Sequence, residues 1–196
     1  MLRLLFVTTL MLSGCTYSTN PIFTEQDNLF DEALVGTWQA DGGLSDFATF
    51  ELTRWTPDEK SYRVVICNQA GKKQGTIQAY LSQIDENKFL TAKFEHDKPS
   101  STFPARVIYW TLAIDQLDGE QLKVRSLRGD WLAQQVKRNP QVLKHVWYAQ
   151  PAQSDKNNLL LTASTAELRA FVLSHLDKTD AWMPDTFRKI RLNSAR

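Results

Sequence analysis

Two cysteines and three histidines are the residues of this 196-residue chain whose types could do chemistry. A thiol can attack or be acylated, and an imidazole can move a proton or hold a metal. Glu95-His96-Asp97 puts three ligand types in a row. On a strand, however, Glu95 and Asp97 share a face while His96 points away, which is poor metal geometry, so a solvated strand end is expected. His145 and His175 are each expected on a short helix with no ligand four residues on. His175 borders the apolar face of its helix and reads as a core-edge histidine. The chain has no Gly-x-Ser-x-Gly elbow, P-loop, His-Glu-x-x-His or Cys-x-x-Cys. The expectation is a protein that is not an enzyme, with no metal site, cofactor or catalytic residue.

The other reactive position is Cys15. Met1-Leu2-Arg3 is a short positive segment, and Leu4 to Leu12 is apolar. That run is too short to cross a ~30 Å hydrocarbon core as a helix, but it suits the apolar region of a signal peptide. Leu12-Ser13-Gly14-Cys15 follows. Small residues at 13 and 14 let the backbone lie flat in a peptidase site, and the thiol offers a nucleophile for acylation. This segment resembles the lipobox of bacterial lipoproteins, and all four positions match. The resemblance implies cleavage after residue 14, a diacylglyceryl thioether on Cys15 and, usually, acylation of the new amine. By resemblance to enterobacterial sorting rules, Thr rather than Asp at position 16 favours an outer-membrane anchor facing the periplasm over inner-membrane retention. Two or more acyl chains anchor stably where one does not.

If Cys15 carries lipid, Cys67 has no partner for a disulfide. It ends the run Tyr62-Arg63-Val64-Val65-Ile66-Cys67 and is expected as a small buried hydrophobe. The net charge is +1, and loss of Arg3 with the signal takes it to 0. A neutral chain has no electrostatic reason to seek nucleic acid. Lys72-Lys73 and Lys137-Arg138 are small basic clusters, expected on solvated surface with headgroup contact as the alternative.

These residues must be positioned by a single domain. Residues 16–27 are polar and without periodicity, and with Cys15 they read as a lipidated tether (15–27) to a body over 28–196. Strand patterns then recur at Ala33–Ala40, Phe47–Trp55, Ser61–Asn68, Thr76–Ile84, Phe89–Glu95, Val107–Asp115 and Leu122–Leu127. Turn signals such as Asp41-Gly42-Gly43, Ala70-Gly71 and Asp118-Gly119 lie between them. Consecutive hairpins of this kind close into a barrel or fold as a sandwich, because closure removes exposed edges. Between 130 and 180 the pattern turns helical. Asp130–Lys137 has Asp130 as cap, Asn139-Pro140 opens a helix over Gln141–Tyr148, and Ser164-Thr165-Ala166-Glu167 is a capping box. Leu168, Phe171, Val172 and Leu176 then share one face of the helix behind that box. Asn158–Ala163 and Phe187–Leu192 are two further strands, the latter with Ile190 and Leu192 inward. The fold class expected is mainly β (α+β): an antiparallel meander barrel with two or three helices inserted in the C-terminal third.

Leu34-Val35-Gly36-Thr37-Trp38, ahead of the run of hairpins, resembles the Gly-x-Trp signature that opens lipocalin-type (calycin) barrels. The resemblance implies that Gly36 allows a tight approach to the first strand. It also implies that Trp38 plugs the closed end of the barrel and that a late Arg packs across it, with Arg188 and Arg191 as candidates. It covers about residues 33–127. The helix-rich stretch after it is larger than is usual for such barrels, and no second signature is evident. The whole layout is also similar to uncharacterised lipoproteins of gram-negative bacteria.

Together these features imply a membrane-anchored, non-catalytic binding or envelope-accessory module. Its expected partners are the membrane through the lipid and either another envelope protein or a small apolar ligand. Bulky inward residues (Phe50, Val64, Ile66, Leu81, Phe94, Trp110 and Leu112) favour a filled interior, and with it a protein partner. The alternatives are a lipocalin-like carrier of an apolar ligand and a periplasmic hydrolase with a site at the barrel mouth near His145 or His175. Among Trp131, Trp147, Tyr148 and Trp182, any exposed aromatic would mark a contact patch.

Overall fold

Five consecutive strands build most of a curved antiparallel sheet: β3 (Gly36–Ala40), β4 (Thr49–Arg54), β5 (Tyr62–Cys67), β6 (Lys73–Ile84) and β7 (Asn87–Glu95). Each pairs with the next, in registers such as Trp38 opposite Phe50, Leu52 opposite Val64 and Leu81 opposite Leu90. The alternation of apolar and polar residues sends one face inward. Leu52, Tyr62, Val64, Ala79 and Leu81 are buried, while Glu51, Thr53 and Arg63 are exposed. A two-residue loop joins β6 to β7, with Asp85 at φ 54°, the left-handed conformation such loops require. The computed structural model describes residues 16–41, 49–68, 70–97, 105–149 and 157–190.

The sheet continues through β8 (Val107–Leu117) and β9 (Gln121–Leu127), and the last strand, β12 (Trp182–Ile190), pairs with both β9 and β3. With β8 also paired to β9, eight strands form a closed antiparallel barrel, so the expected mainly β barrel is present. Asp118 holds the β8–β9 turn: its Oδ1 accepts from the Glu120 and Gln121 amides at 2.9 and 2.7 Å. A two-residue strand, β2 (Asn28–Leu29), pairs with β6.

The chain divides into two compact units. One comprises Phe23–Phe94, Leu112–Arg125 and Pro184–Arg196, and holds most of the barrel. The other comprises Met1–Ile22, Glu95–Thr111 and Ser126–Met183. In this second unit β1 (Tyr17–Ser18) lies between β8, antiparallel, and β11 (Asn157–Leu161), parallel, and β11 pairs with β10 (His145–Ala149). Two helices, α1 (Gly129–Arg138) and α2 (Thr165–Leu173), belong to the same unit. They bury Trp131, Leu132 and Val136 from α1, and Leu168, Phe171 and Val172 from α2. The Ser164 box forms as the sequence predicts. The Ser164 hydroxyl accepts from the Glu167 amide at 3.3 Å, and the Glu167 carboxylate accepts from the Ser164 amide at 2.8 Å.

Three expectations are corrected. Residues 16–27 are not a loose tether, because β1 is paired on both sides and Tyr17, Ile22 and Phe23 are buried. Their apolar side chains find partners far away in sequence, which no local pattern reveals. Gln141–Tyr148 is not a helix. Asn139 makes only a turn, accepting from the Gln141 amide at 3.1 Å, and the chain then extends into β10, so His145 lies on a strand. Helix α1 starts at Gly129 with Arg128 as its first flanking residue, rather than at Asp130. The signal segment, Cys15, Arg191 and Leu192 lie outside the described residues.

Candidate functional site

The barrel's two ends differ, and the difference begins with Gly36 and Trp38. β3 starts at Gly36 with φ +139°, a conformation that side-chain-bearing residues rarely adopt. A Cβ there would sit 2.6 Å from the Lys189 Cε. Two residues on, Trp38 is 1% exposed and its indole Nε1 donates to the Leu34 carbonyl at 2.8 Å. The segment just before β3 crosses this end of the barrel and contains the 3-10 turn Glu32–Leu34, capped by the Asp31 carboxylate, which accepts from the Ala33 amide at 3.0 Å.

Side chains from three strands hold that segment's backbone. Trp38 of β3 reaches Leu34. Tyr62 of β5 accepts from the Asp31 amide at 2.7 Å and donates to the Asp31 carbonyl at 3.1 Å. Lys189 of β12 donates to the Ala33 carbonyl at 2.9 Å, and its ammonium lies 5.1 Å from the centre of the Trp38 ring. The Tyr62 ring also stacks on Phe30 at 4.8 Å, with the Arg54 guanidinium 3.5 Å from the centre of the Phe30 ring. Burial pushes the Tyr62 hydroxyl up to about 12. It therefore stays protonated and able to donate.

Among the described residues, the cation beside Trp38 is thus a lysine. Register places Lys189 opposite Trp38 and Arg188 opposite Gln39, on the other face. Arg188 instead pairs with Asp41, 2.7 Å from guanidinium to carboxylate. The expectation of Arg188 is corrected by one residue of register.

Level with Trp38 and beyond it, the inward rows are less enclosed. Phe50 and Ile66, paired across β4 and β5, are only half-buried. Phe187, two residues before Lys189 and so on the same inward face, is also half-buried and meets Phe50 edge to ring at 5.8 Å. Asp185 continues that face toward the rim. Burial pushes its carboxyl above the usual range, opposed by the Thr186 amide, which donates to Oδ1 at 2.8 Å. The far rim therefore offers aromatic and aliphatic surface with one partly desolvated acid beside it. Val64, Leu81 and Leu112 are buried as expected, whereas Phe50, Ile66, Phe94 and Trp110 are half-buried.

The remaining reactive residues are dispersed. Cys67 is half-buried and in no disulfide. The His145 ring stands 5.9 Å from Trp147 on β10, with Nδ1 2.8 Å from the Leu143 carbonyl. His175 packs on Phe171 at 4.4 Å and against Trp131 at 5.3 Å, at the end of α2. His96 follows β7, and burial lowers its proton affinity. Among the described residues, no cluster of three or more His, Cys, Asp or Glu could hold a metal, and no helix is long and apolar enough to cross a membrane.

No family model, no curated protein and no solved structure matches this chain.

Proposed function

We propose that this chain is a lipid-anchored, non-catalytic binding module of the bacterial envelope, held through Cys15 at the periplasmic face of the outer membrane. It recognises an apolar group at the far rim of its barrel. The observation that supports this reading is a contrast along the inward face. One end is tied shut by Trp38, Tyr62 and Lys189. Level with Trp38 and beyond it, Phe50, Ile66 and Phe187 sit on the inward rows yet remain half-buried. Aromatic side chains left partly in water are the usual anchors of recognition surfaces. The buried Val64, Leu81 and Leu112 of the interior favour the apolar side chains of another envelope protein over an enclosed small ligand, which is the lipocalin-like alternative. The closure at Gly36 and Trp38 supports a calycin-like assignment of the barrel.

Photo-crosslinking tests this. A benzophenone side chain replaces Phe187, or Phe50, in the acylated protein within native membranes. The outward-facing Arg63 position serves as control. A discrete protein adduct at 187 and 50, absent at 63, is the expected result. A small lipid-like adduct would select the carrier form. Adducts no different from those at position 63 would overturn a recognition surface at the rim.

A further inference from the structure

The lipid-anchored reading has a geometric consequence, because the chain is folded from the residue that follows Cys15. Thr16 is already in place: its hydroxyl donates to the Leu127 carbonyl at 3.2 Å. Tyr17 is paired with Trp110 on one side and Leu160 on the other, and is 6% exposed. Consecutive Cα atoms are about 3.8 Å apart, so an acylated Cys15 has no slack with which to hold this sheet away from the bilayer. Register then shows what shares the level of Thr16. Tyr17 lies beside Leu160 in the parallel pair, so Thr16 lies beside Leu159, and Leu159 is paired with Trp147. At about 4.8 Å per strand, Trp147 is two strand spacings, about 10 Å, from the first folded residue.

We propose that this unit is seated directly on the lipid surface, with Trp147 of β10 inserted at the headgroup level near Thr16, where the described chain begins. The proposal rests on the lipid-anchored reading. Trp147 is 39% exposed, among the few large hydrophobic residues described that are left in water. An amphipathic indole on a surface tied to the membrane belongs at the interface, with its ring toward acyl chains and its N–H toward water. The occupant follows from chain length. The anchor is two peptide bonds from β1, whereas a protein partner would have to reach a surface that the acyl chains already hold against lipid.

The test uses the full chain, acylated in cells and reconstituted in phosphatidylethanolamine–phosphatidylglycerol vesicles that contain lipids brominated high on the acyl chain. Tryptophan emission is expected to be quenched. The quenching is lost in Trp147→Phe, and also in a variant with twenty Gly-Ser residues inserted between Cys15 and Thr16. The mass of the N-terminal peptide separates the two ideas. An acylated protein whose quenching is absent, or persists undiminished in Trp147→Phe, overturns the seating while leaving the anchor. An unacylated Cys15 overturns the anchor and the seating together. Shielding of Trp147 in whole membranes but not in vesicles assigns the patch to a protein partner and overturns the lipid contact.

Discussion

Trp38 carries the most consequence of any single residue. It is nearly fully enclosed and hydrogen-bonded to the segment that closes the barrel. Trp38→Ala is expected to cost ~3–5 kcal/mol in urea unfolding; a loss under ~1 kcal/mol would show that this end is not packed as described. Its neighbour Gly36 raises two separable costs. One is the strained backbone at φ +139°, worth ~1–3 kcal/mol for a side-chain-bearing residue. The other is the contact with Lys189. A double-mutant cycle distinguishes them, because Gly36→Ala should cost less in a Lys189→Ala background than in the parent. Equal costs would mean that the lysine does not lie over Gly36. Tyr62 makes a pH prediction. Its hydroxyl is raised from 10.0 to about 12, first by burial. The folded state therefore holds its proton more tightly than the unfolded chain, and this stabilisation fades as pH climbs from about 10 towards 12. Tyr62→Phe should be less stable at neutral pH, with a difference from the parent that narrows across that window. A difference independent of pH would contradict the buried, protonated hydroxyl. Gly36 and Trp38 were legible in the sequence because their spacing is local. Lys189 was not, because which of two successive basic residues faces Trp38 depends on the register of the first and last strands of the barrel.

At the scale of elements, local chemistry decided what could be read. The Ser164–Glu167 box is self-contained over four residues and forms as expected. Ser164→Ala should destabilise the protein by about 1 kcal/mol, measured as a drop in thermal midpoint, and an unchanged midpoint would mean that the cap is not used. The β3–β9 run was readable because apolar alternation and turn residues agree. β10 was missed because Asn139-Pro140 imitates a helix start, although His145-Val146-Trp147-Tyr148 carries the β-branched and aromatic residues of a strand. β1 was missed for a different reason. Two residues have no period, and Tyr17 is ordered by Trp110 and Leu160, more than ninety positions away in sequence. Of the half-exposed residues, Phe50 and Ile66 are among the expected inward ones, whereas Phe187 is not: Ile190 is expected inward, and the register that sets Lys189 opposite Trp38 turns Phe187 inward and Ile190 to the other face. Which end of each strand stays wet depends on how the barrel closes.

For the whole molecule, the barrel with its tied end is the scaffold of the proposed recognition face. The folded start of the chain brings that scaffold's companion unit to the residue that would bear the lipid. Location, partner and the seating of Trp147 all depend on Cys15, and intact-mass and fragment mass spectrometry of the protein extracted from cell membranes tests it directly. The expected result is a mature chain that begins at residue 15, with a diacylglyceryl group on the sulfur and an acyl group on the amine. A chain that begins at any other residue, or a free thiol at residue 15, would contradict it.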